Sequence, residues 1–336
     1  MVEPTTSLPE IADVLPAHRF DERRLEEYFT SHVEGFTGPL TVRQFRGGQS
    51  NPTYHLRAGD QEYVLRRKPP GKLLPSAHAV DREYRAMSAL QATGVPVPRT
   101  YVLCEDASVV GTIFYLMSYV PGRVFRDPSA PGVTAQERGA IFDDMSAVLA
   151  TLHQVDRQAV GLDTFGRSGS YCARQIHRWS EQYRASETEK IEAMERLMEW
   201  LPTHVPEADE TTIVHGDYRL GNLIIHPTEP KVAAVLDWEL CTLGHPLADL
   251  AYNCLPFRLP RVEIDGLIGL DLPALGIPSE EAYVEAYCRR TGRPGIPRWD
   301  FYVAFAIFRI AAISQGIMGR VIAGTANDPD ARLRGE

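Results

Sequence analysis

His215, Asp217 and Asn222 stand in the spacing H-x-D-x-x-x-x-N, and Asp237 and Glu239 follow as D-x-E after an apolar hairpin. Phosphoryl transfer asks for this set of groups. One carboxylate must meet the attacking hydroxyl, while an amide and a second carboxylate hold a metal beside it. Asp217 is the candidate base, because a carboxylate on a loop entering a strand can accept or orient a hydroxyl proton. His215 is expected to orient that loop by hydrogen bonds. Asn222 offers a neutral oxygen and Asp237 a charged one, which suits Mg2+, an ion that takes few protein oxygens and fills its shell with phosphate and water. Glu239 either faces the same site or solvates a loop. Asp249 reads as a buried acceptor tying the loop to a helix.

Phosphates also need positive charge and backbone donors. The turn Arg46–Asn51 lies between two expected strands, and Gly48, Ser50 and Asn51 would let amide groups approach a phosphate closely. The alternative is a plain hairpin turn. Arg66, on the third strand, is the candidate phosphate-binding cation, braced by Glu83 on the next helix; the alternative is a surface ion pair. Lys68 shares the face of Arg66 if the strand persists. Met117-Ser118-Tyr119-Val120 would form a hinge, with backbone at Ser118 and Val120 pairing with an adenine edge.

The elements that must position these residues change character along the chain. From Leu40 to Leu65, alternation broken by Gly, Asn and Asp predicts an antiparallel meander. A helix is expected over Ala79–Thr93, closed by Gly94 and Pro96. Strands follow near Thr100–Glu105 and Thr112–Tyr119. Helical spacing then dominates, over Ala135–Val155 and as one long amphipathic stretch over Tyr171–Leu201. A hairpin, Leu223–His226 with Val232–Leu236, carries the chemistry. This is an α+β chain with a β-rich lobe over 1–118 and a helical lobe over 119–336, the latter holding an insert near 170–210 suited to reading a substrate.

Composition bounds the partners. A net charge of −9 over 336 residues argues against nucleic acid or an anionic membrane. The five cysteines are dispersed and lack C-x-x-C, so free thiols in a reducing, cytoplasmic compartment are expected. The first twenty residues show no basic-then-apolar secretory pattern. Phe301–Met318 is the one long apolar run, and Arg309 and Gln315 within it favour a buried helix over a membrane span. In the insert, Arg174, His177, Arg178 and Arg184 either meet an anionic substrate or form a solvated face. Trp179 and Tyr183, at i and i+4, read as core contacts.

The order of turn, strand cation, helix Glu, hinge, H-x-D-x-x-x-x-N and D-x-E resembles the aminoglycoside phosphotransferase and choline kinase superfamily, over roughly residues 35–325. Three stretches, VLRRKPPGKLLPSAHAVDREYRAMSAL, HGDYRLGNLIIHPTEPKVAAVLDWEL and GHPLADLAY, are similar to the kinase-like domain fused to some acyl-CoA dehydrogenases and to its bacterial stand-alone relatives. The resemblance implies a protein-kinase-like two-lobed fold and transfer of a phosphate from ATP or GTP, with Mg2+, to a small-molecule hydroxyl. It implies Asp217 as base and Asn222 with Asp237 on the metal. Hydroxy fatty acids, their CoA esters or aminoglycoside-like compounds are the implied acceptors. Arg66 stands where kinases usually carry lysine, the glycine loop is incomplete, and Trp-Glu follows Asp237. Those departures leave a second expectation open, a nucleotide-binding scaffold with weak catalysis.

Overall fold

The first third of the chain forms strands because its apolar residues alternate between turn-forming Gly, Asn and Asp. A computed structural model describes residues 10–46, 51–69, 79–261 and 266–322. The elements begin with β1 (Ile11–Ala12), α1 (Glu22–His32), β2 (Leu40–Phe45), β3 (Thr53–Ala58), β4 (Gln61–Arg67) and α2 (Val80–Leu90). They continue with β5 (Thr100–Cys104), α3 (Ala107–Val110), β6 (Phe114–Ser118), α4 (Ala135–His153), α5 (Tyr171–Ala185) and α6 (Glu192–Thr203). Then come β7 (Thr212–Val214), β8 (Leu223–Ile225), β9 (Val232–Val235), β10 (Thr242–Gly244), α7 (Pro246–Asn253), α8 (Leu272–Leu275), α9 (Glu280–Thr291) and α10 (Trp299–Ile322). The architecture is α+β.

The chain divides into two compact units. The first joins Met1–Phe125 to Asn222–Cys241, and the second joins Arg126–Gly221 to Thr242–Glu336. The first holds an antiparallel sheet in the order β1-β2-β3-β4-β6-β5. Tyr54, Leu56, Tyr63, Leu65, Phe114 and Leu116 cluster with Leu25 and Phe29 of α1. Because side chains alternate along a strand, Arg66 points away from the face that carries Leu65 and Arg67. Arg67 is buried on the α1 side, where it donates to the carbonyls of Val110 and His18 and lies over the rings of Phe20 and Tyr54. Arg66 pairs in register with Tyr115 of β6.

Sequence spacing puts 222–241 with the helical part, yet this hairpin groups with the sheet unit. Its backbone explains why. Arg123 and Ile225 exchange N–H···O bonds at 2.7 and 2.8 Å, and Val235 N–H donates to Pro96 O at 2.9 Å.

In the second unit α10 packs against α5, α6 and α7. It is long and apolar enough to cross a membrane by length and composition alone, but Phe301, Phe305, Phe308 and Ala312 are buried in the unit. The single stretch expected over Tyr171–Leu201 is two helices. Ser186 ends α5 by turning its hydroxyl onto the Gln182 carbonyl at 2.8 Å. Gln315 holds the break by donating to Ser186 O and Thr188 Oγ1 at 3.1 and 2.6 Å. The pairing of β7 with β10 is also absent from the sequence expectations; its strands are three residues long, too short for a periodic signal. All five cysteines are free and buried.

Gly122 packs against the hairpin with no room for a side chain. A Cβ there would overlap Ile224 Cγ2 and Ile225 O. Gly122→Ala is expected to cost about 1–3 kcal/mol through this overpacking. Urea denaturation measures it, and an unchanged midpoint would contradict the packing described.

Candidate functional site

The first unit collects the strand cation, the helix acid and the hairpin carboxylate. Arg66 reaches from β4 to two acids at once. Its Nη1 lies 3.2 Å from Glu83 Oε2 on α2, and its Nη2 lies 2.9 Å from Asp237 Oδ1. Glu83 is 1 % exposed and is satisfied from other sides too. The Tyr115 hydroxyl donates to Oε2 at 3.0 Å and Asn51 Nδ2 donates to Oε1 at 3.2 Å. Burial pushes the Glu83 carboxyl up to about 7, against the pull of Arg66. Burial disfavours the charge on Arg66, but Glu83, Tyr115 and Asp237 together hold the guanidinium charged. A fork of planar donors can serve two carboxylates in this way; a lysine ammonium is a single point and cannot reproduce the geometry.

Asp237 sits in the left-handed region at φ 66° and ψ 56°, where Asp and Asn are tolerated better than most residues. The sharp turn lets buried Trp238 follow at once, with its indole N–H on Val235 O at 2.9 Å. Asn222 is 8 % exposed and its carbonyl receives Leu236 N–H at 2.9 Å, which closes the hairpin below both proposed metal ligands. An amide and a carboxylate make a hard oxygen donor set, which fits a divalent cation such as Mg2+. Glu239 follows in the short turn Trp238–Leu240, half-buried, and its charge adds a small upward push on the Glu83 carboxyl.

The second unit shapes the loop that carries Asp217. Both oxygens of buried Asp249 take backbone donors from it, His215 N–H at 2.7 Å and Gly216 N–H at 2.9 Å. Burial works against the Asp249 charge, but bonds from His153 and the His215 backbone hold its carboxyl below the usual carboxylate range. His153 completes the chain, with Nε2 3.3 Å from Asp249 Oδ2 and Nδ1 2.7 Å from the Tyr287 hydroxyl. His215 is fully buried and its Nδ1 accepts from Asp217 N–H at 3.1 Å. The Asp217 side chain remains 19 % exposed, with Arg219 Nε 3.4 Å away. Tyr252 hydrogen-bonds to Asp217, and burial together with the Asp217 charge raises the phenol.

The structure thus gathers Asn51, Arg66, Glu83 and Asp237 in one unit, and fixes His215 and Asp217 in the other. Gly48 and Ser50 lie outside the described residues. Asn51 is buried and its side-chain amide braces Glu83. At the expected hinge, Ser118 N–H is taken by Arg99 O at 2.7 Å and Tyr119 N–H by Glu62 O at 3.2 Å, so the sheet already uses both donors. Val120 follows them, half-buried. Lys68 lies past the end of β4 and meets Asp81 at 3.5 Å. Tyr115, Tyr252 and His153 join the network without having been singled out in the sequence. Tyr115 alone carried a signal, since it stands opposite Arg66 once the strands are registered.

Because burial raises the folded-state pKa of Glu83, the stability it contributes is complete below the unfolded value and is lost as pH rises through about 7. Arg66→Met leaves that acid without its cation and is expected to cost about 3–5 kcal/mol at pH 8. At pH 6, where the buried carboxyl can keep its proton, the loss is expected to be smaller. Urea denaturation at both pH values measures this, and equal losses would contradict it.

A profile described as the phosphotransferase enzyme family matches residues 41–302. A crystal structure from Ralstonia eutropha JMP134, provisionally assigned as an aminoglycoside phosphotransferase, is 54 % identical, with a TM-score of 0.87 and 94 % of both chains covered. Acyl-CoA dehydrogenase family member 10 of Mus musculus is 52 % identical over 302 residues, 89 % of this chain, and the chain spans 28 % of that relative's length. A thermostable mutant of aminoglycoside phosphotransferase APH(4)-Ia, solved in a ternary complex with ADP and hygromycin B, is 16 % identical with a TM-score of 0.58, covering 91 % of this chain and 99 % of that one. Likeness at that identity speaks for the fold alone, the α+β kinase-like fold that the sequence led us to expect. Profile, identity and fold agree over most of the length, and the chain belongs to the phosphotransferase enzyme family.

Proposed function

We propose that the chain is a small-molecule kinase that moves the terminal phosphate of ATP, bound with Mg2+, to an alcohol, with Asp217 as the base. The observation that carries this reading is the state of Asp217: its loop backbone is clamped by Asp249 and His215 while its carboxylate stays partly open. A group fixed in this way meets the hydroxyl proton without first paying for its own ordering. Arg66, held between two carboxylates, would face the phosphates, and Asn222 with Asp237 would hold the metal. Bound there, Mg2+ neutralises developing charge on the phosphate oxygens.

The choice of an adenine nucleotide is an analogy of fold with the phosphotransferase solved with ADP; GTP is the competing donor. Arg66, whose identity raised the scaffold alternative, meets Glu83 at 3.2 Å, and a pair of strand cation and helix acid supports the catalytic reading. The likeness to an acyl-CoA dehydrogenase family member supports a hydroxy fatty acid or its CoA ester as acceptor, with aminoglycoside-like alcohols as the comparison class.

Nucleotide consumption across a panel of hydroxy acids, hydroxyacyl-CoA esters, aminoglycosides and choline tests the reading. At least one acceptor is expected to stimulate turnover. Asp217→Asn is expected to lower that turnover about 10²- to 10⁴-fold while Mg-ATP binding, followed by calorimetry, persists. Full turnover in the variant would remove Asp217 from its role, and no turnover on any acceptor would favour the scaffold.

A further inference from the structure

Arg309 is a buried charge that the chemistry above does not use. It lies midway along apolar α10, is 7 % exposed, and makes no ion pair among the described residues. A guanidinium removed from water without a carboxylate costs several kcal/mol, so other contacts must offset it. Two aromatic rings do so: the guanidinium carbon is 4.8 Å from the Tyr252 centroid and 5.7 Å from that of Trp179. Cation–π contacts with desolvated rings of this kind are favourable. One strong acceptor completes the set, Gly216 O at 2.5 Å from Nη2. Nε is buried with no hydrogen-bond partner. The fork is therefore aimed at a single carbonyl, the one immediately before Asp217.

Gly216 is gripped through both of its flanking peptides. Gly216 N–H is held by Asp249 of α7 and its oxygen by Arg309 of α10, and its φ of 85° is a conformation that L side chains rarely adopt. The two rings around Arg309 come from other places. Trp179 stands on α5, the helix that begins the charged insert. Tyr252 stands on α7 and hydrogen-bonds through its hydroxyl to the Asp217 carboxylate. Trp179, read from sequence as a core contact, is thus also a cation–π partner of Arg309.

We propose that Arg309, whose guanidinium lies against the rings of Trp179 and Tyr252, is a positioning residue that sets the orientation of Asp217 by holding the Gly216 carbonyl, and so links helix α5 to the base. Tyr252 does two things in this arrangement: its ring supports the guanidinium and its hydroxyl fixes one side of the carboxylate. Lysine cannot substitute, since an ammonium neither lies flat against an aromatic ring nor holds the fork geometry. The kinetic part of the inference rests on Asp217 being the base; the structural part does not.

The test uses the full chain and two readouts. In Arg309→Lys, hydrogen–deuterium exchange over residues 213–219 is expected to accelerate while α4 and the sheet stay unchanged. The same variant is expected to lose about ten- to a hundredfold in kcat, with the nucleotide KM changed by less than about twofold. Tyr252→Phe keeps the ring and removes the hydroxyl; its kcat is expected to fall with exchange over 213–219 unchanged. If Arg309→Lys does not fold, Trp179→Leu, which removes one ring and keeps the guanidinium, decides the matter by the same exchange measurement. Unchanged exchange over 213–219 in the folded variant overturns the proposal, whatever the activity. A wild-type chain that turns over no acceptor would defeat the kinase reading, yet the exchange result would still decide whether Arg309 holds the loop.

Discussion

The guanidinium of Arg66 is the constraint around which the first unit is built. Two carboxylates, one fully buried, cannot both stay ionised near each other without a cation between them. Arginine fills that place because its fork addresses Glu83 and Asp237 from separate nitrogens. The remaining bonding capacity of Glu83 is then met by Tyr115 from the neighbouring strand and Asn51 from the loop before β3. Strand register, helix placement and the turn after β9 all have to agree for this to happen. Asp237 adopts a left-handed backbone as part of that agreement. The departure from lysine is accordingly a structural solution, in which one side chain ties sheet, helix and hairpin together.

The second unit solves a related problem with different means. Its loop must present a carboxylate while denying the backbone any freedom. Asp249 does this with both oxygens on consecutive N–H groups, and His153 and Tyr287 extend the bonding inward. The result is a rigid peptide from buried polar groups whose partners are in place, the condition under which such networks specify one geometry. Arg309 adds a hold on the carbonyl side, stabilised by aromatic faces rather than by counter-charge.

Much of this was legible before any coordinates. Asp217, Asn222 and Asp237 are close in sequence, so their types and spacing carry the signal directly. Arg66 and Glu83 lie on neighbouring elements with clear periodicity. Asp249 as an acceptor tying loop to helix could be read from its apolar neighbours. What could not be read depends on packing across long separations. Tyr252 and Arg309 look like ordinary helix residues until α7 and α10 are placed beside the loop. The break after Ala185 is invisible to periodicity because the polar run Ser186–Lys190 suits a solvated helix, and only Gln315, far along the chain, fixes it as a turn. The role of Asn51 as a brace for Glu83 follows from burial, which a turn motif does not reveal.

The grouping of 222–241 with the sheet has a consequence for how the molecule is made. During synthesis the first 125 residues emerge with the meander and its core residues complete. Yet Arg66 waits for Asp237, 171 residues later, and Arg82 for the carbonyl of Cys241, to which it donates at 3.2 Å. The ribosome must deliver most of the intervening helical segment before the sheet acquires its hairpin. Contacts of such separation are slow to form, and unfinished surfaces stay exposed in the meantime. The nascent sheet therefore passes through a long interval with Glu83 already on its helix and half of the charge balance around Arg66 still untranslated.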